Sequence, residues 1–441
     1  MDSFDVIFDF IQRKGRFAAL SNDVGFLSLL RSTLEDVFAI RPDDVPTPGD
    51  PARLLEAVAQ LAEQTPRIMV FVDRHLKGKE STWVFRVLRR RYPDVKLILV
   101  SEEVEKRRLI LYHEMGANNF LMVPSSQQVL MRKMALTIRP PGSLPDMERA
   151  AYQHLEREEY RQAIRVAWKI LAKQPRNATA HLVIGDAHLG MERHSHAVEA
   201  YLLACRHLQI HLEPLQRIAE VCASRGDQNG RLKCLQKMDH ICPVNPDRKL
   251  DMGQIHYGFG NRDNARDLFR DSESLCGSEL TEYLCEILVG IGNVYATGEP
   301  REAERYYRKA IDARQSRLTP EDIVTLNRLG LAMRRTGKWR GAVNVYKRAL
   351  EIDDTDEHLF YNIALAYAEG KEYRSSSRYV MAALRTNPRA FWDNARACYN
   401  MAMIFHHARH DDMARRYAAR CLECEPGMDR ARKLVEKLAK A

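Results

Sequence analysis

The pattern of apolar and polar positions changes character near residue 140. Before that point, short apolar runs alternate with helical spacing. Phe17–Leu20 is a first strand candidate, and Phe26, Leu27, Leu29, Leu30 and Leu34 follow a helical period. Asp36–Ile40 reads as a weak second strand, Pro42–Pro51 as a loop and Ala52–Gln64 as a helix. Ile68–Val72 and Lys96–Val100 are β-rich runs of the kind a parallel strand buried on both faces requires. Trp83–Arg91 and Val104–Met115 are helical, the latter stopped by Gly116. Asn119–Val123 is a fifth strand closed by Pro124, and Ser126–Ile138 is a last helix capped by Ser125 or Ser126. Five strand–helix units predict a doubly wound, five-stranded parallel α/β sheet of flavodoxin-like type. The leading MDSFDVIFDFIQRKG has its apolar run broken by Asp5 and Asp9, so it predicts a short helix or strand and not a secretion signal.

Arg139–Pro145 is a break rich in Pro and Gly. Beyond it the strand pattern ends and a repeat begins. Gly185, Ala219 and Gly253 are 34 residues apart, as are Gly330 and Ala364. Twelve residues after these comes a small residue, Ala197, Ala265, Ala342 or Ser376, with Arg231 the exception. Four residues further stands a larger one: Tyr201, Leu235, Phe269, Tyr346 or Val380. Two helices per period of 34 predict an all-α solenoid, in which no unit buries its apolar face alone. The stretch Ile323–Asp354, with a turn at Gly337-Lys338, is its most regular unit.

These residues resemble tetratricopeptide repeats. The family's small–small–aromatic–small pattern stands as Gly330, Ala342, Tyr346 and Ala349, and again as Gly185, Ala197, Tyr201 and Ala204. Gly292, Ala303, Tyr307 and Ala310 fit with one residue missing, while Ala402, Ala414 and Cys421 mark the last repeat. Closing prolines stand at Pro175, Pro243, Pro388 and Pro426. The resemblance implies a superhelix of about eight repeats, ending in a Lys/Arg-rich capping helix from Met428 to Lys440. The domain reading is therefore 1–138, a linker at 139–146, and a repeat array at 147–441.

The first domain resembles the response-regulator receiver family over about residues 15–138, through SNDVGFLSLLRSTLE from Ser21, IMVFVD ending at Asp73, LILVS ending at Ser101 and GANNFLMVP from Gly116. In such sheets function gathers at the carboxyl ends of the strands. The resemblance makes Asp73 the phosphoacceptor candidate and Ser101 the hydroxyl position. It also implies two metal-binding acids after the first strand, where this chain has Ser21 and Asn22 with Asp23 one place late, and a Lys where it has Val123. Hard divalent cations favour carboxylate oxygens, and phosphoryl transfer rests on positioning and charge neutralisation. The reading is a pseudo-receiver used for docking or homodimerisation, without a cofactor. The alternative is a phosphorylatable Asp73, with Mg²⁺ held after a shift of Asp23 into the site.

In tetratricopeptide arrays the first helix of each pair lines a partner groove. Mapping that position gives Asn327, Arg328, Asn362, Arg396 and Asn400. Asn side chains suit a peptide backbone and Arg suits a carboxylate, so the partner is a protein or peptide, with an acidic one favoured. The family's full carboxylate clamp is not predicted, because Leu331 and Asn400 replace an Asn and an Arg.

Composition narrows the function further. A net charge of +9 arises from 68 basic and 59 acidic residues, too even a balance to predict nucleic-acid binding. The basic cluster Arg86, Arg89, Arg90, Arg91, Lys106, Arg107 and Arg108 reads as a solvated face or a dock for an acidic partner. All nine cysteines lie between Cys205 and Cys424, many at packing positions, which suggests reduced core thiols. Cys421 and Cys424 lack a second pair for zinc, and His406, His407, His410, Asp411 and Asp412 read as an inter-repeat turn. No apolar run approaches the roughly 20 residues that span a bilayer. With no nucleophile–base pair, phosphate loop or metal framework in the sequence, the expectation is a non-enzymatic, cytoplasmic, bacterial signalling adaptor. The alternatives are a response regulator that gates its array and a nucleic-acid-associated regulator.

Overall fold

The computed structural model describes residues 3–76, 79–103, 105–140, 144–207, 212–276, 281–314 and 318–439. Val104, residues 141–143 of the linker, the side chains of Lys106 and Arg107, and Lys440 of the expected cap lie outside them. The chain divides into two compact units, Met1–Phe259 and Gly260–Ala441.

The first unit opens with an α/β part: α1 (Ser3–Gln12), β1 (Arg16–Leu20), α2 (Val24–Phe38), α3 (Pro51–Gln64), β2 (Ile68–Asp73), β3 (His75–Leu76), β4 (Lys79–Glu80), α4 (Thr82–Arg91), β5 (Lys96–Ser101), α5 (Lys106–Glu114), β6 (Asn119–Met122) and α6 (Gln127–Ile138). The main sheet is parallel, in the order β1-β2-β5-β6. It has four strands among the described residues, against the five expected. Asp36–Ile40 is no strand: α2 runs on to Phe38 and stops where Ala39 adopts a left-handed φ of +54°. Phe38 and Ile40 pack on the core instead. The edge of β1 is met by a loop, with Ala19 N–H donating to the Pro46 carbonyl at 2.9 Å and Val45 buried beneath.

All six residues of β2 are buried, as both faces of the sheet are covered. One face carries Phe17, Ala19, Met69, Phe71, Ile98, Val100 and Leu121, packed with Ile7 and Phe10 of α1, Leu30 of α2 and Leu130 of α6. The leading segment is thus a core helix. The two-stranded β3–β4 ribbon, directly after β2, was not anticipated.

The same unit continues with α7 (Pro145–Glu156), α8 (Tyr160–Lys173), α9 (Ala178–Gly190), α10 (His194–His207), α11 (Glu213–Ser224), α12 (Gln228–Ile241) and α13 (Pro246–Gly258). The second unit holds α14 (Arg262–Cys276), α15 (Thr281–Tyr295), α16 (Pro300–Ala313), α17 (Ile323–Arg335), α18 (Trp339–Leu350), α19 (Glu357–Glu369), α20 (Tyr373–Thr386), α21 (Ala395–His407), α22 (Asp411–Cys424) and α23 (Asp429–Ala439). One packing device recurs. A Cβ on Gly185, Gly292 or Gly330 would stand 2.2, 2.6 or 2.4 Å from the ring of Tyr201, Tyr307 or Tyr346. Each glycine lets the second helix's tyrosine lie against the first helix's backbone. Where Ala364 replaces glycine, Ser376 takes the facing small position and its hydroxyl donates to the Ala364 carbonyl at 2.7 Å.

Candidate functional site

The carboxyl ends of β1, β2 and β5 bring together the positions expected there. Asp73 ends β2 and is buried to 9% exposure. Its Oδ2 accepts from the Ser21 hydroxyl at 2.7 Å and from Asn22 N–H at 2.9 Å. Asp23 caps α2, its Oδ1 accepting from Phe26 N–H at 3.0 Å, while its own N–H donates to Ser21 Oγ at 3.0 Å. The Ser101 hydroxyl turns onto its own loop, donating to the Glu103 carbonyl at 2.6 Å. Val123 is buried beside them. Asp23, Asp73, Arg74, His75, Ser101, Glu102, Glu103 and Val123 line a cleft of about 360 Å³.

Burial pushes the Asp73 carboxyl above its usual range, and the bonds from Ser21 and Asn22 N–H act against that rise. A cation at this oxygen would meet two donated hydrogens, and Asp23 spends one oxygen on its helix. The residues here therefore fit a hydrogen-bonded carboxylate better than a hard-cation site.

The basic cluster is not one solvated face. Arg86 pairs with Asp247 of α13 at 3.1 Å. Arg89 donates to the Gly116 carbonyl at 2.7 Å and to Asn118 Oδ1 at 2.9 Å. Arg108 lies 3.8 Å from Glu105.

In the second unit, α17, α19 and α21 carry the groove candidates. Asn362 donates to Asn327 Oδ1 at 2.8 Å, joining α19 to α17. Asn400 donates to the Tyr361 hydroxyl at 3.2 Å, joining α21 to α19. Arg328 and Arg396 are exposed, and so are Val324 and Leu331. Arg334 donates twice to Glu369 Oε1, at 3.0 and 2.7 Å. Sequence reasoning missed Tyr361 and the Arg334–Glu369 pair. Tyr361 holds the repeat position of Asn327, three residues before the small anchor, which was the available signal.

The nine cysteines are free thiols, and burial pushes Cys398 up to about 11. His406 and His407 end α21 and Asp411 opens α22, so this cluster lies at the turn expected of it.

Residues 283–355 match the tetratricopeptide repeat family model. No curated protein matches the chain. Among solved structures it is similar to YrrB, a tetratricopeptide protein with an unusual peptide-binding site, at 16% identity over 47% of this chain and 98% of that one, with a TM-score of 0.35. The C-terminal part of a tetratricopeptide protein from Cytophaga hutchinsonii is 15% identical over 65% and 99%, with a TM-score of 0.40. PilF of Pseudomonas aeruginosa is 16% identical over 51% and 97%, with a TM-score of 0.38. The family match covers residues 283–355, and the same glycine–tyrosine packing recurs outside it at Gly185 and Tyr201: the chain carries a tetratricopeptide repeat array, a type of module that mediates protein–protein interaction. No described helix is long and apolar enough to cross a membrane.

Proposed function

We propose that the chain is a non-enzymatic signalling adaptor that holds a protein or peptide partner along the α17–α19–α21 face. One observation carries this reading. Three successive first helices are joined pairwise by side-chain hydrogen bonds, Asn327–Asn362 and Tyr361–Asn400, and the cations Arg328 and Arg396 on α17 and α21 are exposed. Amide groups there suit a peptide backbone in any sequence, and the two guanidinium groups favour a partner carrying carboxylates. The test compares partner capture by the wild-type chain and by Asn362→Ala/Arg396→Ala. Capture should fall at least about tenfold if these contacts together supply 1.4 kcal/mol or more. Equal capture removes this face from the account.

In the same reading the α/β part is a receiver-like docking module that does not depend on phosphorylation. Support comes from Ser21 and Asn22 donating to Asp73 and from Val123 in place of a cation. The competing reading, a phospho-accepting Asp73 that gates the array, draws on Asp23 lining the same cleft as Asp73.

A further inference from the structure

The first helices α11 and α13 carry the same repeat positions as α17, yet their surroundings differ. Counted from the small anchor, Gln216, Arg217 and Glu220 stand to Ala219 as Asn327, Arg328 and Leu331 stand to Gly330. These three residues and Glu213 line one wall of a cleft of about 590 Å³. The opposite wall is the α/β part, at Arg89 and at the turn Gly116–Asn118 between α5 and β6. On α13, Asp247 holds the position of Val324 and Arg396, six residues before its anchor, and it pairs with Arg86 of α4. Between the two contacts lies an ion pair of Arg248 with Glu114, the last residue of α5, their side chains 3% and 4% exposed. Arg248 also donates to the Met238 carbonyl at 3.2 Å and to that of Cys242, tying the pair to the end of α12. Asn245 donates to Glu114 Oε2 at 3.4 Å.

We propose that the α/β part is the resident occupant of the groove positions on α11 and α13, latched by Glu114–Arg248 and Arg86–Asp247. The expected acidic partner of the basic cluster is, for Arg86, a residue of the same chain. The proposal rests on the groove reading only for the register of these positions, because its test needs no partner. A buried ion pair supports rigidity chiefly by being complete, since removing one member leaves the other charge buried and uncompensated. Arg248 would then lose its ion pair with Glu114 while staying buried, and the contact across the cleft would open.

The experiment is hydrogen exchange on the full chain, comparing wild type, Glu114→Gln and Glu114→Lys, with far-UV circular dichroism as the control for folding. Expected is a rise in exchange of about tenfold or more in α11 and the first turn of α13, matched in α5, with α1, α6 and the second unit unchanged. Unchanged exchange in α11 and α13 overturns the proposal. So does a uniform rise across 3–259, which would make Glu114 a general support of the fold. If Glu114→Lys fails to fold, Arg86→Ala removes the half-exposed contact: faster exchange confined to the start of α13 and to α4 supports the latch, and no change there overturns it. Failure of Asn362→Ala/Arg396→Ala to alter capture leaves this readout untouched, so the two ideas fail separately.

Discussion

Two places where function was expected, the Asp73 cleft and the α17–α19–α21 face, present their polar groups in opposite ways. At Asp73 the polar atoms turn inward and satisfy one another: Ser21 and Asn22 donate to the carboxylate, Asp23 caps its helix, and Ser101 bonds its own loop. On the helical face the amides bridge neighbouring helices, while Arg328 and Arg396 stay exposed. Chemistry needs groups aimed at a shared empty point, and recognition needs groups aimed outward along a surface. The first arrangement has Val123 where the receiver resemblance implies a Lys, and the second leaves two guanidinium groups exposed to solvent, which is the contrast the proposed recognition role rests on.

The comparison can be broken first at the array's charged interior. Glu304 of α16, 7% exposed, accepts from Lys338 at 2.9 Å, Arg308 at 3.0 Å and Thr336 at 3.1 Å. Glu304→Ala should cost the second unit about 2–4 kcal/mol in urea unfolding, since three donors lose their acceptor together. Burial pushes the Glu304 carboxyl up, but the bonds from Lys338, Arg308 and Thr336 outweigh it and hold it below the usual carboxylate range. A depressed carboxyl adds stability above its unfolded pKa and loses it as pH falls through the folded one. The wild type should therefore lose stability on acidification below the ordinary glutamate range, and Glu304→Gln should lose less there.

Next comes the scaffold. Gly330→Ala puts a methyl 2.4 Å from the Tyr346 ring and should cost about 1–3 kcal/mol by overpacking, read as a lower thermal midpoint. Smaller effects belong to the two candidate sites. Ser21→Ala removes one donor to the charged form of Asp73, so the Asp73 carboxyl should titrate higher by carbon NMR, with a stability loss of about 1 kcal/mol. An unmoved titration would contradict the inward-satisfied picture of the cleft. Asn362→Ala/Arg396→Ala should unfold within about 1.5 kcal/mol of wild type, so that any loss of capture reports recognition.

Much of the array was legible because its packing is periodic. The same small and aromatic residues recur at fixed intervals, and one well-formed unit interprets the others. Arg328 and Arg396 became candidates by subtraction, as first-helix residues that packing does not dictate, and both are exposed. Tyr361 was passed over because aromatics were read as packing alone, although its hydroxyl reaches Asn400. The α/β part offered no such period. Its buried strands announced themselves as apolar runs, but Asp36–Ile40 failed as a strand because a half-apolar segment following a helix also suits that helix's last turn. The Arg248–Glu114 pair joins residues 134 apart in the chain, and no local pattern encodes it.

The central claim is that the chain works by holding partners and not by accepting a phosphoryl group at Asp73. Incubating the full chain with Mg²⁺ and acetyl phosphate and weighing it intact tests that directly. The expected result is an unchanged mass. A phosphoryl adduct that disappears in Asp73→Ala would contradict the account and favour the gated regulator.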